Sequence, residues 1–369
     1  VAINDDDGTV DGTKVLTTTI EDDDTATWSI SGDPTVNETT PTEVAEYTID
    51  LTGEFGAGIE ASIDISLGAG DTTAADYANF IAAVQLAATS YGGDGTVVFD
   101  GVDTLTFTAT DDGDEMTPLL VALTINDDSL VEDDESYTVD LTNEGSSTGG
   151  DIALGTAQVT TTIADNDIGA WSIASSAGNP GSVTEGDPAI TFTISLSGLI
   201  QDGETVSVDV DGTDLDTTSG DYSNIEAALI QAVDDYNNRI GAYASANGML
   251  ALTPSTANPG INAATLTYTA EDDGSGGSTL TDLTVDVTAT VDGFVEAPED
   301  VSVQLIDAGA AASSVTNVTE DTTPIVTTIV DADVAAWSIA SSAGNPGSVT
   351  EGDPAITFTI SLSGLIQDG

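Results

Sequence analysis

A repeat constrains this chain more than any other feature. The 34 residues Ala170–Gly203 (AWSIASSAGNPGSVTEGDPAITFTISLSGLIQDG) recur without change at Ala336–Gly369. A diverged version starts at Trp28, with WSISGDPTVNE followed by YTIDLTG. The three tryptophans, Trp28, Trp171 and Trp337, thus share one repeat position, and each follows an acidic run closing a Thr-rich segment: IEDDD to Asp24, IADND to Asp167 and IVDAD to Asp333. A chain that copies a unit this closely stacks units in series instead of building one large core. Boundaries at these junctions give one unit at 28–170 and another at 171–336. Residues 1–27 then read as the closing strands of a preceding unit, and 337–369 as the opening strands of a following one.

Inside each unit the hydropathy has the period of a half-buried strand. AITFTISLSG, ETVSVDVDG, ATLTYTAE, LTVDVTATV and VSVQLID alternate apolar residues with Thr, Ser or Asp, and Gly, Asn, Asp and Pro clusters punctuate them. Many short antiparallel strands at such spacing predict an all-β fold of tandem antiparallel β-sandwich, immunoglobulin-like domains. One stretch per unit departs from period two. DYANFIAAVQLAA (76–88) and DYSNIEAALIQAVDDYNNRI (221–240) carry helical spacing and follow Asp71-Thr72-Thr73 and Asp216-Thr217-Thr218, which read as capping signals for a short inserted helix.

Charge narrows the function. The sequence holds 65 acidic residues against two basic ones, Lys14 and Arg239, a formal charge of −63. Such a surface repels nucleic-acid phosphates and anionic membrane and attracts cations. With no histidine and no cysteine, Ser-His-Asp and Cys-His catalysis, imidazole or thiolate metal sites and disulfides are excluded. No apolar run approaches a membrane span, so no membrane insertion is expected in this segment.

The acids recur in a pattern. In the first unit an early strand ends V-N-E at Glu38, the run T-T-A-A-D-Y holds Asp76, the stretch I-N-D-D-S-L-V-E-D-D-E-S-Y-T-V-D-L-T-N spans 125–143, and the unit closes with I-A-D-N-D. The second repeats these as V-T-E-G-D (Glu185), T-T-S-G-D-Y (Asp221), V-D-G-F-V-E-A-P-E-D-V-S-V-Q-L (291–305) and V-D-A-D. Together these segments resemble the Calx-β family, calcium-binding sandwiches of sodium–calcium exchangers, integrin subunits and giant bacterial surface proteins. The resemblance covers nearly the whole chain apart from the helical insertions. It implies Ca2+ as the bound ion and one pole of each sandwich as the site.

Physical chemistry points the same way. Calcium takes six to eight oxygen ligands, and carboxylates gathered without a cation repel one another. The candidate ligands of the first unit are Glu38, Asp76, Asp127, Asp128, Glu132, Glu135, Asp165 and Asp167. Those of the second are Glu185, Asp221, Asp292, Glu296, Glu299, Asp331 and Asp333. Asp22, Asp23 and Asp24 close the site of the preceding unit, and Glu351 opens that of the following one. The second site looks the poorer, with Asp292-Gly293 set against Asp127-Asp128 and Pro298 beside Glu299. Asp112-Gly113-Asp114-Glu115 and Asp272-Asp273-Gly274 are loops able to hold a further ion, and Asn37-Glu38-Thr39 and Asn317-Val318-Thr319 fit the glycosylation sequon.

These features lead to the expectation of a structural, extracellular filament or adhesin stalk, at the cell surface or secreted, stiffened by calcium. Its partners are calcium ions together with other copies of the protein or cell-surface components, not nucleic acid. The alternative is a calcium-responsive regulatory module. An enzyme is not expected: paired carboxylates can hydrolyse glycosides, but the aromatics that platform sugars are 5% of the chain.

Overall fold

A computed structural model describes residue 18 and residues 24–39, 42–215, 220–242, 248–254, 263–272, 274–309 and 312–367. Asp22, Asp23 and the Asp216-Thr217-Thr218 signal lie outside the described residues. The chain divides into two units, Val1–Asp127 with Asp134–Ala164, and Asp128–Asp133 with Asp165–Gly369.

The first unit is an all-β sandwich. Its four-stranded sheet runs in the order Asp151–Leu154, Thr25–Gly32, Val44–Thr52, Leu119–Thr124. The facing sheet has six strands, ordered Thr35–Asn37, Gln158–Ala164, Glu135–Ser146, Glu60–Gly68, Thr104–Thr108, Thr96–Phe99. Alternation decides the inner faces. Val44–Thr52 buries Ala45, Tyr47, Ile49 and Leu51, and Glu60–Gly68 buries Ala61, Ile63 and Ile65. Each such leucine or isoleucine side chain contributes about 1.5–3 kcal/mol when fully buried. Trp28 lies at the centre of this core.

The second unit repeats the plan strand for strand. Four strands order as Val318–Glu320, Gly169–Ser175, Ile190–Ser197, Leu283–Val287, and six as Gly181–Thr184, Ile325–Val330, Glu299–Asp307, Thr205–Asp214, Ala263–Thr269, Met249–Pro254. Trp171 is buried at the position of Trp28. The duplicated residues fare differently in their second copy. Ala336–Ser341 and Phe358–Ser363 pair with each other, yet Trp337, Ile339, Phe358 and Ile360 stay exposed where Trp171, Ile173, Phe192 and Ile194 are buried.

The repeats differ in one core detail. Tyr47, Tyr137 and Thr161 form a buried hydroxyl chain: the Tyr47 hydroxyl donates to that of Tyr137 (2.7 Å) and lies 2.7 Å from Thr161 Oγ1. The matching positions of the second repeat are Phe192, Val301 and Thr327. The tyrosine partners are gone, and the buried Thr327 hydroxyl has no hydrogen-bond partner among the described residues.

Each unit carries its helix, α1 at Phe80–Thr89 and α2 at Ile225–Ala242. In the first unit the cap is not the Asp-Thr-Thr run suggested by the sequence. Asn79 Oδ1 accepts the Ala82 N–H (3.0 Å), and Asn224 Oδ1 accepts that of Ala227 (2.8 Å). Both asparagines close a recurring D-Y-x-N tetrapeptide. Its Tyr bridges a strand-end residue, Tyr77 with Ile125 and Tyr222 with Ala289. Its Asp carbonyl accepts a main-chain N–H just beyond: Asn126 to Asp76 (2.9 Å) and Thr290 to Asp221 (2.8 Å). The capping asparagine of the inserted helix therefore lies three residues after a candidate ligand whose backbone is pinned.

Candidate metal centre

In the second unit, parallel pairing of Gly181–Thr184 with Ile325–Val330 ends both strands at the same pole. Glu185 follows the first strand and its N–H donates to Val330 O (3.0 Å), which sets it beside Asp331 and Asp333. The Asp331 carboxylate then folds the loops around it. Oδ2 accepts the Glu296 N–H (2.9 Å) and Oδ1 that of Asp333 (2.6 Å), while Asp333 Oδ2 accepts the N–H of Gly293 (3.1 Å). Glu299 opens the strand that follows.

Three sets of carboxylates converge there. Glu185, Asp292 and Glu296 each offer an oxygen within 4.8 Å of the others, as do Glu185, Asp331 and Asp333, and Asp221, Glu296 and Glu299. Glu185 and Glu296 each belong to two sets, so the second unit's predicted ligands form one continuous acidic cluster. Glu185 Oε2 and Glu296 Oε1 are buried without a hydrogen-bond partner. Burial, followed by the charges of Asp292, Asp221, Glu185 and Asp331, pushes the Glu296 carboxyl up to about 7. Burial likewise raises Glu185, against the Ala332 N–H and with the charges of Asp331, Asp292 and Asp333.

The first unit shows the same construction. Parallel pairing of Thr35–Asn37 with Gln158–Ala164 places Glu38, whose N–H donates to Ala164 O (3.0 Å). Asp76 is buried and accepts bonds from the Thr73 N–H and hydroxyl. Burial and then the hydrogen bond and charge of Asp76 push Glu135 up to about 8, with Asp71 and Glu38 adding to the shift. Asp71, which the sequence presented as a cap, instead accepts the Ser136 N–H (2.6 Å) and hydroxyl (3.1 Å), and that N–H holds its carboxyl below the usual range. Asp127 is half-buried.

The segment Asp128–Asp133 belongs with the second unit because Leu130–Val131 pairs in parallel with Leu199–Ile200. Within it, Asp128 and Glu132 offer oxygens within 4.8 Å of each other. Asp165 repeats the role of Asp331: Oδ2 accepts the Glu132 N–H (2.9 Å) and Oδ1 that of Asp167 (2.8 Å). Asn317 Nδ2 donates to Asp165 O (3.0 Å) and Oδ2 (3.3 Å), so this sequon amide is engaged in the fold.

The repeats align one residue differently from the sequence expectation. Asp128 Oδ1 accepts the Leu130 N–H and Asp292 Oδ1 that of Phe294, both at 2.7 Å. Asp292 is thus the counterpart of Asp128, Gly293 that of Ser129, and the acid missing from the second repeat is Asp127, replaced by Val291. Asp24 and Glu351 are exposed and join none of these sets. Asp114 and Asp272 turn their carboxylates onto main-chain N–H groups of their own loops, which lowers both, and their loops need no ion to explain them.

The donor set fits a hard divalent cation. All its donors are oxygens, two buried ones are unpartnered, and the whole sequence has only two basic residues to offer as counter-charges. Such a set suits calcium better than a softer metal.

No known family model and no curated relative matches the sequence. Among solved structures, CBD12 from CALX1.2 is 13% identical, with 82% of this chain and 99% of that one covered and a TM-score of 0.26. The apo-form Calx CBD1 domain is 16% identical over 38% of this chain and 98% of its own, at a TM-score of 0.24. The C-terminal domain of the Streptococcus pyogenes antigen I/II-family protein AspA is 10% identical over 82% and 98%, at 0.22. The functional reading rests on the geometry of the carboxylates.

Proposed function

We propose that each repeat binds calcium at its carboxylate pole, and that the chain is a non-catalytic, extracellular structural element, a filament or adhesin stalk made rigid by those ions. The observation that carries the metal reading is the pair of buried oxygens without a partner among the described residues, Glu185 Oε2 and Glu296 Oε1, on two residues that each belong to two carboxylate sets. Carboxylates placed this way are suited to bridging neighbouring cations. Glu38, Asp76, Asp127 and Glu135 in the first unit, and Asp128, Glu132, Asp165 and Asp167 in the adjoining segments, are the matching ligands. The stalk reading draws on the tandem copying of one sandwich, since a rod grows by repetition and needs no unique active site. Among the described residues no helix is long and apolar enough to cross a membrane.

The deciding experiment is calorimetric titration with calcium, combined with melting curves in calcium and in chelator. Binding of more than one ion per repeat and a calcium-dependent rise in Tm are expected. Coincident melting curves with no heat of binding would show the acids to be surface charge only.

A further inference from the structure

The duplicated segment ends in Leu-Ile-Gln-Asp-Gly, at 199–203 and again at 365–369. Both times the Leu-Ile pair lies parallel to the last two of the three residues that separate an aspartate from a glutamate in the carboxylate loop. Leu199 and Ile200 pair with Leu130 and Val131, between Asp128 and Glu132. Leu365 and Ile366 pair with Phe294 and Val295, between Asp292 and Glu296. Burial pins the first register, because Ile200 and Val131 are both inside and a one-residue slip would turn them out. The next rung then sets Gln201 beside Glu132, and Gln367 beside Glu296.

At the first place the side chains follow the ladder. Gln201 Nε2 donates to Oε1 of the buried Glu132. At the second place the Gln367 N–H continues the pairing to Val295 O (3.4 Å), and the neighbouring carboxylate oxygen, Glu296 Oε1, is the buried one without a partner. A glutamine therefore recurs at the same register position, one rung beyond the Leu-Ile pair and level with the glutamate, brought there by a strand pairing rather than by its own loop.

We propose that Gln201 and Gln367 are ligands of the cations held at Glu132 and Glu296, each supplying its amide oxygen. This rests on the calcium reading above and adds a donor from outside the carboxylate loops. Calcium accepts neutral carbonyl oxygens as readily as it accepts several carboxylates. The terminal amide torsion of glutamine is soft, so the group that gives an N–H to Glu132 when no cation is bound turns to present its oxygen when one is. A neutral ligand also fills the coordination sphere without adding charge to a crowded acidic pole, which accounts for a glutamine in a chain so rich in glutamate and aspartate.

The test uses the full chain, with calcium calorimetry and terbium luminescence on the wild type and on Gln201→Ala, Gln201→Glu, Gln367→Ala and Gln367→Glu, each checked for an unchanged melt in chelator. As a ligand, each glutamine should cost one class of sites about tenfold in affinity when cut to alanine, while glutamate, which keeps the oxygen, should hold or tighten binding. If both alanine variants bind as the wild type does, or if glutamate weakens binding as much as alanine, the amide is only a donor to its carboxylate and the assignment fails. A wild-type chain that takes up no calcium defeats the metal reading itself, a result distinct from either. Should Gln201→Ala fail to fold, the Gln367 pair, just beyond the exposed Leu365–Ile366 strand, carries the same comparison.

Discussion

Neutralising Glu296 should stabilise the protein or destabilise it according to whether calcium is present. Its carboxylate offers an oxygen within 4.8 Å of partners on Glu185, Asp292, Asp221 and Glu299. Two unit charges at that separation repel by about 0.9 kcal/mol in a water-like medium and about 3.5 kcal/mol at an effective dielectric of 20. Glu296→Gln keeps the shape and removes the charge. In chelator at pH 8.5, where the Glu296 carboxyl is ionised, the variant should gain about 1 kcal/mol or more, roughly 2–4 °C in Tm for a unit of this size. In calcium the same change removes a charged ligand. A cation at 100 times its Kd stabilises by about 2.7 kcal/mol, and the roughly hundredfold loss of affinity expected for a ligand shared between two sets takes back about 2.3 of it, more than the roughly 1 kcal/mol gained. Differential scanning calorimetry of both proteins in both buffers gives the four melting points, and the variant should cross from above the wild type to below it. A shift of the same sign in both buffers would refute the reasoning, because it would mean that the glutamate is packing or solvating and not waiting for a cation.

Three further outcomes follow from the geometry. Glu135 and Glu296 sit at about 8 and about 7 in the folded protein, above their ordinary value, so their protonated forms favour folding below the unfolded pKa and that contribution is lost as pH rises through the folded values. In chelator, Tm should therefore climb between pH 8.5 and pH 5, and in calcium the trend should reverse as protons compete with the ion. Thr327→Val removes a buried hydroxyl without a partner and should raise stability by up to about 1 kcal/mol in urea titration, whereas Thr161→Val, which strips the bonds to Tyr47 and to Asp33 O, should cost about 1–3 kcal/mol. Asn79→Ala should cost about 1 kcal/mol and speed amide exchange in α1, since its side chain caps the helix directly after Asp76.

The sandwich was legible because strand alternation and sheet burial have the same period. TVVF, YTIDL and VDLT announce their inner faces, and the duplicated tryptophan marked equivalent places in two cores. Burial itself was not legible. Trp171 and Trp337 share 34 residues of identical context, yet one is buried and the other exposed, because the first copy packs into the core of the second unit and the second copy joins no described core. The acidic pole could be read from recurring spacing, but not its register. Aligning Asp127-Asp128 with Asp292-Gly293 matches letters, while the turn bonds to Leu130 and Phe294 pair Asp128 with Asp292. Helix capping was misplaced for a related reason. Asp-Thr-Thr is a good cap in isolation, but the Tyr77 bridge to Ile125 delays the helix until Asn79. Gln201 left no composition signal at all, since its place depends on a strand pairing with a distant loop.

The acids of the pole do two kinds of work, and the repeats separate them. Asp165 and Asp331 each use one oxygen to hold the N–H of a glutamate and the other to hold the N–H two residues on, and those bonds recur in both copies within 0.2 Å. A carboxylate oxygen has two lone pairs, so a bond to an amide leaves one still directed at the pole. The same residues that shape the loops can therefore face a cation without rearranging, and the ordering of these turns is met by the fold before any ion arrives. Glu185 and Glu296 differ in kind. Each has a buried oxygen without a hydrogen-bond partner among the described residues, and their carboxyls are raised by burial and by the charges they are held against. The Glu296 side chain holds no main-chain amide among the described residues, and that of Glu185 takes only the Ala332 N–H. A pole in which aspartates make the scaffold and glutamates carry the unmet charge separates preorganisation from affinity. It follows that Asp331→Asn should disturb the loop in both calcium and chelator, whereas Glu296→Gln should show the reversal of sign.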